Sequence, residues 1–199
     1  MKRLFTIAAL CAICSAGPAA ADVVLLADDF NTETLALNYT GFANWNVPDG
    51  TVDVIGPGFF DLQPGHGRYV DLDGSTSNAG RLESKTVFTL DPGDYRLDFL
   101  LAGSQRGDTN TVGVSLGSAY TESFTLPSAA PFALVTRNIT VAAGTTGRLV
   151  FDHVGGDNLG LLLDDVTLTQ VTGTPEPGSL AFVAFGAVGL VLARRRGRV

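Results

Sequence analysis

Tyr95, Leu97, Phe99 and Leu101 alternate with Arg96 and Asp98 between positions 94 and 102. Apolar side chains at every second position line one face of an extended strand, whereas a helix would scatter them around its circumference. Short runs rich in Val, Thr, Phe and Leu recur between positions 22 and 172, separated by Gly, Asp, Asn and Pro, and none shows a convincing helical period. Strands are predicted over 23–30, 51–55, 68–72, 81–90, 94–102, 111–116, 120–126, 133–141, 148–154 and 160–169, with Asp91-Pro92-Gly93-Asp94 as a turn. Some ten strands at this spacing, in a chain with 24 glycines, predict an all-β fold of the antiparallel β-sandwich kind. No internal repeat or low-complexity tract interrupts the pattern.

The two ends do not belong to that pattern. Lys2 and Arg3 open the chain, an apolar stretch follows over 4–15, and Ala19 and Ala21 are the small residues at the −3 and −1 positions before Asp22. This is the layout of a secretory signal peptide cut after Ala21. Cys11 and Cys14 both fall inside it and follow Ile13 or Leu10 rather than a small residue, which argues against lipid attachment. The exported chain then has no cysteine and must be held together by core size or by a bound metal.

At the other end, Pro175-Glu176-Pro177 precedes an uninterrupted apolar run from Leu180 to Ala193, and Arg194, Arg195, Arg196 and Arg198 follow. As a helix the run spans roughly 21 Å, short of the ~30 Å of a bilayer core, with snorkelling arginines making up part of the gap. A core helix would not end in four arginines, and clustered arginine stays on the cytoplasmic side, so everything upstream of Pro175 is placed outside. These three parts, in this order, resemble the PEP-CTERM sorting signal of Gram-negative bacteria. The resemblance implies delivery by the secretion machinery, handling by an exosortase, and a helix that anchors the chain in the inner membrane only transiently before release at the cell surface or beyond. The expected organisation is a signal peptide over 1–21, a β domain over 22–172 and a sorting signal over 173–199.

The charge of the middle segment narrows its partners. The chain carries 13 basic and 20 acidic residues; six basic residues but only one acidic residue, Glu176, lie in the two ends. The domain keeps 7 basic and 19 acidic side chains, about −12. Nucleic acid and anionic membrane surfaces are poor partners for it. Cations, neutral sugars and basic surfaces are better ones.

Asp28-Asp29-Phe30-Asn31 and the segment from Asp157 to Leu168 resemble the first and last strands of galactose-binding-like jelly rolls. Gly67-Arg68-Tyr69-Val70-Asp71-Leu72-Asp73-Gly74 resembles a motif of secreted bacterial proteins of that type. The resemblance implies an eight- or nine-stranded jelly roll with its chain ends close together, and in many relatives a structural calcium and a carbohydrate site.

An extended last strand puts Leu162, Asp164, Val166 and Leu168 on one face and Leu161, Leu163, Asp165 and Thr167 on the other. An inward Asp164 needs neutralising by arginine, by backbone N–H groups or by a metal. With few arginines available, calcium held by oxygens of Asp28, Asp29, Asn31, Asp164 and Asp165 is one solution. A turn-capping Asp164, or pairing with Arg148 or Arg137, is the other.

For sugar binding the candidates are Trp45 as a stacking platform, with Arg68 and Tyr69, and the polar loop over 105–110. A single tryptophan in such a domain is more often a core anchor. Gly113-Val114-Ser115-Leu116-Gly117 matches a nucleophile elbow in letters only, since Val112, Val114 and Leu116 alternate as a strand and Asp152 and His153 are adjacent. His66 and His153 show no metal-ligand spacing, and no carboxylate pair stands out, so no catalytic residue is assigned. The sequence thus reads as a non-catalytic surface or matrix protein that binds extracellular polysaccharide. A structural protein of the envelope or biofilm is the alternative, and a glycan-active hydrolase comes third.

Overall fold

The computed structural model describes residues 21–173. The expected signal peptide and the sorting signal with its apolar helix lie outside the described residues. Within them Asp22–Thr172 is one compact unit that carries its own core, as an independently folding domain must.

All regular structure among the described residues is β. The strands are β1 (Val23–Asp28), β2 (Trp45–Asp49), β3 (Asp53–Ile55), β4 (Tyr69–Asp71), β5 (Arg81–Ser84), β6 (Phe88–Leu90) and β7 (Gly93–Ala102). They are followed by β8 (Thr109–Leu116), β9 (Tyr120–Pro127), β10 (Ala133–Val141), β11 (Thr145–Gly147), β12 (Leu149–Val154) and β13 (Leu162–Val171). One sheet runs β10-β7-β13-β4-β3, with β1 also on β13; the other runs β2-β5-β12-β8-β9, and β6 pairs with β11. Every ladder is antiparallel, and the two large sheets enclose the core of a sandwich.

Each of the ten predicted strands is present, with one division and two additions. The predicted 81–90 strand is broken at Lys85-Thr86, and its halves join different sheets. The Ser84 hydroxyl donates to Thr86 O and accepts Leu149 N, taking over backbone bonding at that corner. Strand β2 was not expected because Pro48 interrupts its pattern; it sits at the edge of its sheet, where a missing N–H is tolerated. Strand β11 has only three residues, too few to show an alternation.

Leu97, Phe99 and Leu101 of β7 meet Val112, Val114, Leu149 and Phe151 of the facing sheet. Trp45, Phe30 and Phe151 form the aromatic centre, with ring centroids 6.1 Å apart for Trp45–Phe30 and 5.9 Å for Trp45–Phe151. Along β3 and β4, Val54 and Val70 point into this core. Their neighbours Asp53, Ile55, Tyr69 and Asp71 therefore emerge on the outer face of the sheet. There Ile55, Tyr69, Ala102 and Leu162 form a second apolar cluster, covered by Phe59, Leu62 and Phe132.

The last strand departs from simple alternation. One edge of β13 pairs with β4 at Leu162 and Leu163 and with β1 from Val166 to Gln170, and a bulge separates the two pairings. Asp165 sits in that bulge with φ of 50°. The extra residue shifts the pleat, so Leu161 and Leu163 join Val166 and Leu168 in the main core while Leu162 belongs to the outer cluster. The expected face shared by Leu162, Asp164, Val166 and Leu168 is thus corrected: Asp164 lies opposite Leu100, one step from the inward pair Leu163 and Leu101.

Candidate functional site

Two depressions flank the outer side of the six-stranded sheet. The first, of about 390 Å³, is lined by Ala27, Asp28, Asp29, Thr32, Asn44, Asp165 and Thr167. It exists because Asp28, the last residue of β1, pairs opposite Val166, just past the bulge. The first and last strands therefore bring Asp28 and Asp29 beside Asp164 and Asp165.

Four of the eight carboxylate oxygens of this group hold donors. Asp28 Oδ1 accepts Phe30 N at 2.9 Å, and its Oδ2 accepts Trp45 Nε1 at 2.9 Å and Asn44 Nδ2 at 3.0 Å. Asp29 Oδ1 accepts Asn31 N. Asp164, 1% exposed, accepts Asp165 N at 2.8 Å. Burial, followed by the charges of Asp165, Asp29 and Asp28, pushes the Asp164 carboxyl up to about 7. Neither Arg148 nor Arg137 reaches it; they pair with Glu83 and Glu122.

Asn31 does not line this depression, and its Oδ1 accepts Arg68 N at 3.0 Å. Among the described residues no three His, Cys, Asp or Glu side chains converge as a metal-binding group. The donors fit calcium in hardness and charge, since the four carboxylates have no ion-pair partner among the described residues, but they are not drawn together around one point.

The second depression, of about 110 Å³, has two unlike walls. Leu37, Ile55, Phe60 and Leu62 form the apolar one; Asp53, Asp71, Ser75 and Arg106 form the polar one. Phe60 is 63% exposed and Leu37 42% exposed, whereas the other aromatic rings among the described residues are mostly buried. Phe60 is held with φ of 51°, and its ring stands edge-on to Phe59 at 4.9 Å.

The polar wall is internally bonded. Asp53 Oδ1 accepts Asn38 N and Ser75 N, and its Oδ2 accepts the Ser75 hydroxyl at 2.8 Å. Asp71 Oδ1 accepts Asp73 N at 3.1 Å and Gly160 N at 3.0 Å, while Arg106 Nη2 donates to its Oδ2 at 2.5 Å. Burial pushes the Asp71 carboxyl up to about 7, although the Arg106 charge pulls it down. The Arg106 side chain remains 30% exposed toward the cleft.

The sugar-binding residues expected from sequence occupy supporting positions. Trp45 is 0% exposed and serves as the core anchor, so it offers no platform. Tyr69 is also buried; its hydroxyl accepts Leu62 N at 2.7 Å and Gln63 N at 2.8 Å and donates to Asp61. Burial pushes that phenol up to about 12. Tyr69 thereby pins to the sheet the loop that carries Phe60. Arg68 donates to Glu33 O and lies outside both depressions. His66 stacks on Phe132 at 4.6 Å. Ser115 sits in mid-strand opposite Thr121, which removes the nucleophile elbow.

Of the cleft residues, only Arg106 lay in a segment proposed for sugar contact. Phe60 was missed, although an aromatic pair between Gly58 and Asp61, inside a loop, is the signal that could have pointed to it. Asp71 falls in the predicted strand over 68–72, and Ser75 lies just beyond it.

Residues 174–196 match the PEP-CTERM protein-sorting motif, which indicates export with a membrane-anchored intermediate in Gram-negative bacteria and implies exosortase processing. No curated relative matches the chain in sequence. Among solved structures, the CBM22-1–GH10 modules of a Clostridium thermocellum xylanase 10B bound to xylohexaose are 16% identical, with a TM-score of 0.47, over 79% of this chain and 30% of theirs. The C-terminal CBM6 of a Zobellia galactanivorans laminarinase is 13% identical (TM-score 0.42) over 67% of this chain and 97% of its own. The K3 adhesin domain of Lys-gingipain from Porphyromonas gingivalis is 17% identical (TM-score 0.44) over 74% and 100%. The chain thus spans under a third of that xylanase structure.

Proposed function

We propose that this chain, sorted through its PEP-CTERM motif, is a non-catalytic carbohydrate-binding protein of the cell surface or extracellular matrix, and that its sugar site is the two-walled cleft. The observation that carries this reading is the cleft's asymmetry. Exposed Phe60 and Leu37 face a polar wall of Arg106, Asp71, Asp53 and Ser75. A pyranose has the same asymmetry, with C–H faces that pack on apolar surface and equatorial hydroxyls that need planar, charged hydrogen-bonding partners. The polar wall is fixed by its own internal bonds before any ligand arrives, so little ordering cost falls on binding. A volume of about 110 Å³ suits a single sugar ring or a chain end.

The acidic depression lined by Asp28, Asp29 and Asp165, with buried Asp164 adjoining Asp165, has a separate part in this proposal, as a structural calcium site that neutralises the carboxylates at the bulge. Asp164, buried among like charges, supports it.

A glycan array probed with residues 22–172 tests the function. Binding that disappears on Phe60→Ala or Arg106→Ala supports the cleft as the sugar site. Silence across neutral and acidic glycans overturns the sugar reading and leaves a structural envelope protein. Turnover of any bound polysaccharide overturns the non-catalytic part.

A further inference from the structure

His153 and Asp73 are nine-tenths or more buried, and each has one polar atom, His153 Nδ1 and Asp73 Oδ1, with no partner among the described residues. They are neighbours: a Cβ built on Gly155 would stand 2.5 Å from Asp73 Oδ2 and 3.0 Å from His153 Nδ1. The other atom of each group is engaged by the loop over 155–161. Asp73 Oδ2 accepts Gly156 N at 2.7 Å and Asp157 N at 3.2 Å, and His153 Nε2 accepts Leu161 N at 3.2 Å.

This geometry assigns the tautomer. Nε2 spends its lone pair on the Leu161 N–H, so the ring is neutral and carries its proton on Nδ1. Nδ1 then has no lone pair to offer a metal. It is a buried donor beside a buried acceptor, the two unjoined.

We propose that His153 is an acid-operated latch on the 155–161 loop. A proton taken from solvent at Nε2 sets two N–H groups face to face and expels Leu161 N. The resulting imidazolium turns Nδ1–H onto Asp73 Oδ1, so the lost bond is replaced by an ion pair and the Leu161 end of the loop is freed from the ring, while Gly156 N and Asp157 N stay on Asp73 Oδ2. The charged groups facing the ring are Asp73, Asp157 and Asp108, all acidic, and they stabilise the charged state once the ring has moved. Burial holds the ring's pKa below the ordinary histidine value, so the latch stays closed at neutral pH. The consequence reaches the cleft: Gly160 N, in the same loop, is a donor to Asp71 Oδ1. Loss of the Leu161 bond, one residue from Gly160, loosens that contact with the polar wall, whatever the cleft binds.

NMR on residues 22–172 tests the latch without any ligand. At pH 7.5 the His153 ring nitrogens should report the Nδ1–H tautomer. As pH falls, the Leu161 amide protection factor should drop at least tenfold, with the midpoint of the His153 titration. His153→Gln, whose side-chain oxygen can accept Leu161 N at any pH, should abolish that step. The proposal is overturned by an Nε2–H tautomer at pH 7.5, by Leu161 protection that ignores the His153 midpoint, or by a step that persists in His153→Gln, which would assign it to a group other than the ring. If the variant does not fold, the two midpoints in the parent chain decide alone: coincidence supports the latch and separation overturns it.

Discussion

The indole N–H of Trp45 donates to Asp28 Oδ2 at 2.9 Å, tying the centre of the core to the end of the first strand. The same carboxylate oxygen accepts Asn44 Nδ2, so one acid organises the turn before β2 and the acidic depression together.

That bond makes the single tryptophan a reporter of the core and not of the ligand. Its emission should be blue-shifted, shielded from acrylamide and unmoved by saturating sugar. A shift on sugar addition would restore Trp45 as a platform and sink the cleft assignment. Trp45→Phe should cost about 1–3 kcal/mol, because it removes buried area and leaves Asp28 Oδ2 short of a donor. Urea unfolding measures it.

Phe60 predicts the opposite pattern. Its ring is mostly in solvent, so Phe60→Ala should change stability by no more than about 0.5 kcal/mol. If the ring stacks on a sugar, the same change should weaken binding about tenfold, or roughly 1.4 kcal/mol. Calorimetric titration and thermal melting on one preparation separate the two effects. Lost stability with unchanged affinity would make Phe60 a loop-packing residue.

The contrast between these two aromatics shows what the sequence could and could not tell. Strand positions were legible because alternation at every second residue is a local property, as with Tyr95 to Leu101. The sandwich followed from their number and spacing. The site was less legible because exposure is decided by tertiary contacts: Trp45 sits among polar residues in sequence yet lies at the core, while Phe60 sits between loop residues and stays out. Asp28 and Asp164 could be placed near each other by analogy of first and last strands. The bulge at Asp165 could not be read, since it arises where one edge of β13 changes partner from β4 to β1. Asn31 falls outside the acidic depression for a similarly non-local reason, its oxygen holding Arg68 N 37 residues away.

Gly160 should tolerate no side chain. A Cβ there would lie 2.2 Å from both Asp71 Oδ1 and Asp73 N, and the second of these is backbone and cannot give way. Gly160→Ala should therefore destabilise by about 2–4 kcal/mol and detach the loop from Asp71. Gly107→Ala has open space at its Cβ, though its φ of 105° favours glycine. It should lose less, which separates the clash at Gly160 from a generic glycine effect. Equal losses in the two variants would refute the close approach.

Asp164 and Asp71 set the pH dependence. Both have folded-state values pushed up to about 7, from 3.8, chiefly by burial. A raised carboxyl binds its proton more tightly when folded, so its stabilisation is fully present below pH 3.8 and is lost as pH rises through about 7. His153, lowered by burial, works in the other direction, losing stability as pH falls below 6.5. With two carboxyls against one imidazole, calcium-free protein should melt at a lower temperature at pH 8 than at pH 5. Asp164→Asn removes one acid and should raise stability at pH 8 by about 1–3 kcal/mol while flattening the curve between pH 4 and 7. Calcium tests the same residue from the other side. At pH 7.5, millimolar calcium added after EDTA treatment should raise the melting temperature of the parent chain and leave Asp164→Asn unmoved. An unchanged parent melting temperature would rule out the calcium site. A lower stability of Asp164→Asn in EDTA would mean that the charged carboxylate is itself needed at the bulge, against the buried-acid account.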